Sequence, residues 1–321
     1  MNKSTKILNN IIDNVEKVII GKRNCIELTL ISLICNGHVL IEDVPGVGKT
    51  SLVSAIAKSL NASFKRIQFT PDILPSDITG FSVFNQKTGE FEYRPGAIMS
   101  QIILADEINR TSPKTQSSLL EVMEEGQVTV DGVTYKVPTP FMVLATQNPV
   151  EYLGTYPLPE AQIDRFFMKI TMNYPLPSEE SYMLSKFQLG NPLDTLTPVA
   201  ESSDIIALQQ EIKKIHVDRT LNNYIVDIVS QTRKHQDVIL GASPRGSLSL
   251  FRAAQAWAFY NDRDYVLPDD IKRMVIPVLS HRIILKQEAK LKKVSSADIL
   301  LSILSKVNVP VSDYLEYSEN K

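Results

Sequence analysis

Residues 38–51 read His38-Val39-Leu40-Ile41-Glu42-Asp43-Val44-Pro45-Gly46-Val47-Gly48-Lys49-Thr50-Ser51. A short apolar run gives way to a glycine-bearing loop, and from Leu52 to Leu60 the pattern turns helical. Strand, glycine turn and helix in that order form the setting a phosphate loop requires. Glycines let backbone N–H groups turn inward around phosphate oxygens, and a helix N-terminus adds a favourable dipole. The expected nucleotide cradle is therefore Asp43, Val44, Pro45, Gly46, Val47, Gly48, Lys49, Thr50 and Ser51. Within it Lys49 would reach the β- and γ-phosphates of ATP, and the Thr50 hydroxyl would ligate Mg²⁺. One position departs from the strict G-x-x-x-x-G-K-[ST] pattern, because Asp43 stands where the first glycine is wanted.

The flanking sequence supplies a sheet for this loop. Upstream, Ile11, Ile12, Val15 and Val18, then Leu28, Ile31, Leu33 and Ile34, recur at helical spacing, broken at Gly21. Downstream, strand-like runs appear at 64–69, 102–106, 141–145 and near 166–170, with helical stretches between them. That alternation predicts a parallel sheet covered by helices. Two β-hairpins interrupt it. One pairs Phe81–Phe84 with Glu90–Tyr93, and the other turns at Asp131-Gly132, a strong hairpin dipeptide.

Ile102-Ile103-Leu104-Ala105-Asp106-Glu107 is an apolar strand ending in two acids, at the end where parallel strands meet the ligand crevice. Asp106 is the expected second holder of Mg²⁺, largely through water, and Glu107 the general base that polarises the attacking water. Phe141 to Ala145 leads similarly to Asn148, which could orient that water or touch the γ-phosphate. Arg165 and Arg245 are each ambiguous by themselves, and Arg165 reads equally as an ordinary surface ion pair. Arg245 opens a helix marked by Ser243 as N-cap and Pro244 in its first turn, where a cation is mildly unfavourable unless something anionic lies opposite.

Past about residue 174 the strand signals stop, and helices are expected at 203–214, 218–235, 244–260, 268–284 and 295–306. The expected organisation is an α/β core over 1–195 and a helical domain over 196–321. Bulk properties bound the function classes. The chain has 321 residues, 43% of them hydrophobic, and a net charge of −2 from 34 basic and 36 acidic residues. No bulk electrostatic drive toward nucleic acid or anionic lipid follows. No apolar h-region follows the polar start, and no run approaches the length of a membrane span, so a soluble, cytoplasmic protein without membrane insertion is expected. Cys25, Cys35 and the scattered histidines at 38, 216, 235 and 281 fit structural roles.

Together these strings resemble the MoxR family of AAA+ ATPases. The match is carried by Glu42 to Thr50, Ala105-Asp106-Glu107-Ile108-Asn109-Arg110, Ala145-Thr146-Gln147-Asn148-Pro149, Gly154 to Gln162 leading into Asp164-Arg165-Phe166, and Gly241-Ala242-Ser243-Pro244-Arg245. The Thr155-Tyr156-Pro157-Leu158-Pro159-Glu160-Ala161-Gln162 string is far more diagnostic than the phosphate loop, which many NTPase families share. The resemblance implies an ATP-hydrolysing core with a helical lid, assembling as a ring, commonly a hexamer, with nucleotide between subunits. Asn148 then looks like sensor 1 and Arg165 like an arginine finger reaching the neighbour's nucleotide. Arg245 looks like sensor 2, acting on its own nucleotide or a neighbour's. Gly21 matches a segment packing near adenine, Arg110 a further interface contact, and the two hairpins inserts facing the pore or surface of the ring. The implied role is a chaperone-like remodelling motor acting on a partner protein with a von Willebrand factor A domain. A nucleic-acid motor is the alternative, disfavoured by the charge balance and the weakly basic hairpin tips. A nucleotide-binding scaffold without turnover is disfavoured by the presence of both Glu107 and Arg165.

Overall fold

The computed structural model describes residues 3–148, 155–188 and 190–310. Helices Lys3–Glu16 (α1) and Arg23–Ile34 (α2) precede Val39–Glu42 (β1), Lys49–Ser59 (α3), Phe64–Gln68 (β2) and Pro75–Thr79 (α4). A hairpin, Gly80–Asn85 (β3) and Glu90–Pro95 (β4), is followed by Ile102–Asp106 (β5) and Pro113–Glu125 (α5). A second hairpin, Gln127–Val130 (β6) and Val133–Lys136 (β7), leads to Met142–Gln147 (β8), Glu160–Ile163 (α6) and Met168–Ile170 (β9). Pro177–Phe187 (α7) and Ser202–Glu211 (α8) complete the first of two compact units, which ends at Glu211.

The first unit is built on a five-stranded parallel sheet in the order β2-β5-β8-β1-β9. Every residue of β5 is buried, and so are Met142 to Thr146 of β8. This double-sided burial explains why those strands read as unbroken apolar runs. Edge strand β2 instead alternates, with Ile67 buried and Arg66 and Gln68 exposed. The register pairs Ile41 with Thr146, Ala105 with Ala145 and Gln68 with Asp106. Parallel strands in this register bring the C-terminal ends of β1, β5 and β8 to one edge of the sheet.

The core joins Ile103, Ala105, Val143 and Ala145 of the sheet to Leu119, Leu120, Val122 and Met123 of α5. That helix begins where the sequence suggests: Ser112 Oγ accepts the Thr115 N–H at 3.3 Å and Pro113 occupies the first turn. It stops at Gly126, whose φ of +63° makes it a left-handed cap. Buried His38 accepts the Val143 N–H on Nδ1 at 3.0 Å, and its Nε2 lies 2.9 Å from the Met123 carbonyl. Burial pushes its pKa down to about 4, so it is a neutral donor–acceptor link between β8 and α5. Both hairpins form as read. Asp131 and Gly132 have φ of +50° and +79°, the left-handed pair such a two-residue turn demands. The hairpins meet where Tyr93 stacks on Tyr135 with ring centroids 4.0 Å apart.

The second unit begins at Ile212, later than the boundary of 195/196 expected from the sequence. The reason is α8, which packs with the first unit: Gln209 Nε2 donates to the Leu33 carbonyl at 2.9 Å and Ser4 Oγ to Glu211 at 2.7 Å. The second unit contains Arg219–Lys234 (α9), Pro244–Tyr260 (α10), Pro268–Leu279 (α11), Gln287–Leu291 (α12) and Ser296–Leu304 (α13). To the expected helices it adds an antiparallel ribbon of Val238–Leu240 (β10) and Ile284–Leu285 (β11). Its interior holds a forked ion pair, Arg263 Nη2 to Asp270 Oδ1 at 2.5 Å and Nη1 to Oδ2 at 2.7 Å, with Asp270 also capping α11 through the Leu267 N–H. Among the described residues, no helix is long and apolar enough to cross a membrane.

Candidate functional site

A cleft of about 360 Å³ opens at the C-terminal edge of the parallel sheet. Its lining combines Pro45, Gly46, Gly48, Lys49, Thr50 and Ser51 of the loop with Asp106, Glu107, Thr146 and Asn148. Arg66 and Gln68 close one side. Gly46 and Gly48 have φ of +85° and +91°, and a Cβ at either would meet no atom within 4 Å. The requirement for glycine here is therefore backbone conformation, with open space above the loop for a ligand.

Asp43 takes a different part from that expected. Its buried carboxylate accepts the Val44 N–H on Oδ1 at 2.8 Å, and the Met172 and Asn173 N–H groups on Oδ2 at 2.5 and 2.7 Å. The side chain thus bolts the start of the loop to the chain just past β9, while the Asp43 carbonyl accepts the Lys49 ammonium at 2.8 Å. Asp43, Val44 and Val47 belong to the loop without lining the cleft. Partial burial lowers the Lys49 pKa, and Asp43, Asp106 and Glu107 oppose that shift by Coulombic attraction.

The two acids are held by different partners. Thr146 Oγ1 donates to Asp106 Oδ1 at 2.7 Å and accepts the Glu107 N–H at 2.8 Å, joining the ends of β5 and β8. Asp106 Oδ2 accepts a fork from Arg66, Nη2 at 2.6 Å and Nε at 3.1 Å. Glu107 has φ of +57° and ψ of +48°, a left-handed backbone uncommon outside glycine, asparagine and aspartate. Its Oε2 accepts Gln68 Nε2 at 2.8 Å and Arg110 Nη1 at 3.0 Å. Asn148 is buried at the end of β8, two residues beyond Thr146, so both side chains face the cleft.

Within the first unit, Arg165 and Gly21 are not among the residues lining this cleft. Arg165 Nη1 donates to the Leu120 carbonyl at 3.0 Å, and Nη2 lies 3.3 Å from Glu124, along the outer face of α5. Gly21, with φ of +71°, packs against the Glu179 carboxylate in the first turn of α7. Arg245 stands in the first turn of α10 in the second unit, its N–H donated to the Ser243 Oγ at 3.1 Å. Pro149 and Gly154 of the quoted strings lie outside the described residues. The remainder of the diagnostic string is tied to the acidic strand: Tyr156 donates its N–H to the Asn109 carbonyl at 2.6 Å, and Gln116 Nε2 donates to the carbonyls of Tyr156, Ile108 and Thr111. Arg66, Gln68 and Thr146 were not among the expected site residues. The sole sequence signal for the first two is polar alternation about Ile67 in a short strand.

The ATPase family associated with various cellular activities (AAA) matches residues 38–168, and the AAA lid domain matches residues 230–303. Chaperone MoxR1 of Mycobacterium tuberculosis is 40% identical, over a stretch covering 92% of this chain and 80% of its own. The chain belongs to the MoxR family of AAA+ ATPases. Within this family it is similar to the uncharacterised protein YeaC of Bacillus subtilis, at 55% identity across 95% of both chains. The solved structure of a candidate ATPase from Cytophaga hutchinsonii matches with a TM-score of 0.90 and 42% identity, covering 96% of each chain. Membership implies nucleotide use, and the lid match falls within the second unit.

Proposed function

We propose that this MoxR-family protein binds Mg²⁺·ATP in the cleft and hydrolyses it to ADP and phosphate. In this reading the subunits form a ring, most simply a hexamer, and turnover drives chaperone-like remodelling of a partner protein. The observation that carries the reading is the convergence of the Gly46–Ser51 loop, both acids and Asn148 on one cleft, with Arg165 directed elsewhere. The residues suit the ligand. Open space lies above Gly46 and Gly48, and the Thr50 hydroxyl and Asp106 carboxylate are hard oxygen donors of the kind Mg²⁺ takes.

Bound Mg²⁺ supplies neutralisation of the phosphate charge. Lys49 and the loop amides hold the β- and γ-phosphates, and Ser51 and Thr50 open α3 beneath them. Glu107, oriented by Gln68 and Arg110, accepts the proton of the attacking water, while Asn148 orients that water. Gly21 is assigned to the adenine side by the family resemblance. Arg165 serves the nucleotide of the adjacent subunit, and a finger acting in this way is worth roughly 10³–10⁵ in rate. Arg245 brings a further cation from the lid. The partner class suggested by the family resemblance is a protein with a von Willebrand factor A domain, and the chaperone name of the 40%-identical relative supports a protein substrate.

The test is the ATPase rate per subunit as a function of protein concentration, with sedimentation on the same samples. The reading expects the specific rate to climb as a ring-sized species appears. A flat rate in a chain that stays monomeric would remove Arg165 from the mechanism.

A further inference from the structure

Strand β2 lies at the edge of the sheet, and its register sets Gln68 opposite Asp106. Arg66, two residues earlier, projects to the same side of the strand. Its guanidinium closes as a fork on Asp106 Oδ2, with Nη2 at 2.6 Å and Nε at 3.1 Å. The other oxygen, Oδ1, is already taken by the Thr146 hydroxyl. The Asp106 side chain is 13% exposed, and a carboxylate so far removed from water is stabilised by a cation beside it. In this structure that cation is Arg66.

A divalent metal held by Asp106 must approach the same carboxylate. Oδ2 already accepts both Arg66 contacts and Oδ1 keeps one lone pair beside the Thr146 hydrogen bond, so a metal, or a water bound to it, settles within a carboxylate's width of the guanidinium. Both occupants are cations, which makes their presence on one carboxylate mutually unfavourable. Arg66 is suited to giving way. Its side chain is 47% exposed, so it can swing without disturbing the core.

We propose that Arg66 is a placeholder cation, which neutralises Asp106 in the metal-free cleft, competes with Mg²⁺ for the Asp106 carboxylate and swings away when Mg²⁺·nucleotide binds. This rests on the reading of the cleft as an Mg²⁺·nucleotide site. It assigns to β2 a restraint on metal loading: nucleotide arriving without metal leaves the ion pair intact, and nucleotide with metal breaks it.

The experiment measures ADP binding to the full chain by calorimetry, with and without saturating Mg²⁺, for wild type, Arg66→Gln and Arg66→Lys. The ratio of the dissociation constant without metal to that with metal reads the metal's contribution to ADP binding. Removing the competitor in Arg66→Gln is expected to raise this ratio about two- to fivefold, the range for a half-exposed charge pair. Arg66→Lys keeps a cation in reach and is expected to stay within about twofold of wild type on the same scale. Both changes fall on an exposed side chain of an edge strand, and matching thermal melts establish that the fold is kept. A ratio that is unchanged or lowered in Arg66→Gln overturns the proposal. So does an Arg66→Lys ratio as high as that of Arg66→Gln, because the competing property would then not be charge. A wild-type chain that binds no ADP in either condition would instead remove the nucleotide-site reading itself, and the two failures are thereby distinguished.

Discussion

Replacing Asp43 by Gly restores the residue that the strict phosphate-loop pattern asks for, and the structure predicts that it weakens the protein. The Asp43 carboxylate receives the N–H groups of Val44, Met172 and Asn173 at 2.8, 2.5 and 2.7 Å. A hydrogen bond to a charged group contributes about 1.5–3 kcal/mol, so simple addition would give roughly 5–9 kcal/mol. Two effects shrink that figure. Removing a buried carboxylate also removes its desolvation cost, and the space left beside glycine admits water to the freed amides. About 3 kcal/mol remains, to which the extra backbone freedom of glycine adds roughly 0.5–1 kcal/mol. For a unit of this size each kcal/mol shifts the melting temperature by about 2–4 °C, which places the Asp43→Gly melt about 7–16 °C below wild type. Circular dichroism melts without nucleotide measure it. Asp43→Asn, which keeps one acceptor oxygen for the three donors, should fall between. An Asp43→Gly protein melting within about 2 °C of wild type would refute the argument, since the carboxylate would then be dispensable to the join between the loop and β9.

Four further outcomes follow from the same geometry. Glu107→Gln should retain ATP binding and lose turnover, and Arg165→Ala should lose turnover yet regain part of it in mixed rings with Glu107→Gln subunits, whose own Arg165 is intact. Rates measured across mixing ratios test both, and no rescue at any ratio counts against a finger acting between subunits. Thr146→Val preserves shape but leaves the Glu107 N–H without its acceptor and Asp106 Oδ1 without its donor, which should cost about 1–3 kcal/mol in urea unfolding. Stability should also fall with acid through His38. Its folded pKa of about 4 lies below the ordinary 6.5, so the unfolded chain takes up its proton first. The contribution is complete above about pH 6.5 and lost progressively toward pH 4, amounting to about 3 kcal/mol, and His38→Asn should flatten that part of the profile in pH-dependent melts.

The parts of the site legible in the sequence are those whose signal is local. The β1–loop–α3 segment is contiguous, and its type follows from an apolar run, two glycines and a helical pattern without knowledge of anything distant. The apolar run before Asp106 and Glu107 works in the same way. Arg66 and Gln68 were hidden because their part depends on a pairing, Gln68 with Asp106, that β2 makes with β5 across a hairpin insertion. Nothing in Lys65-Arg66-Ile67-Gln68 distinguishes Arg66 from its neighbour Lys65 until the strand's facing is known. Asp43 was placed in the cradle by its position, yet the donors that fix its side chain come from Met172 and Asn173, far along the chain. Helix α8 was assigned to the second domain because strand signals end before it, whereas the contact from Gln209 to Leu33 is a tertiary one.

Glu107 shows why these long-range partners matter to the chemistry. A glutamate in the left-handed region is strained by about 1–3 kcal/mol, and such strain persists only where neighbours overdetermine the conformation. Three neighbours do so here. Thr146 holds its amide, while Gln68 and Arg110 hold its carboxylate. In an ordinary strand-to-helix turn a relaxed backbone would be free to carry the carboxylate to either side. The clamped left-handed turn instead keeps Glu107 in the cleft beside Asp106 before any ligand arrives. Preorganisation of this kind reduces the reorganisation required when charge develops, and so accounts for an arrangement that local backbone preferences alone would reject.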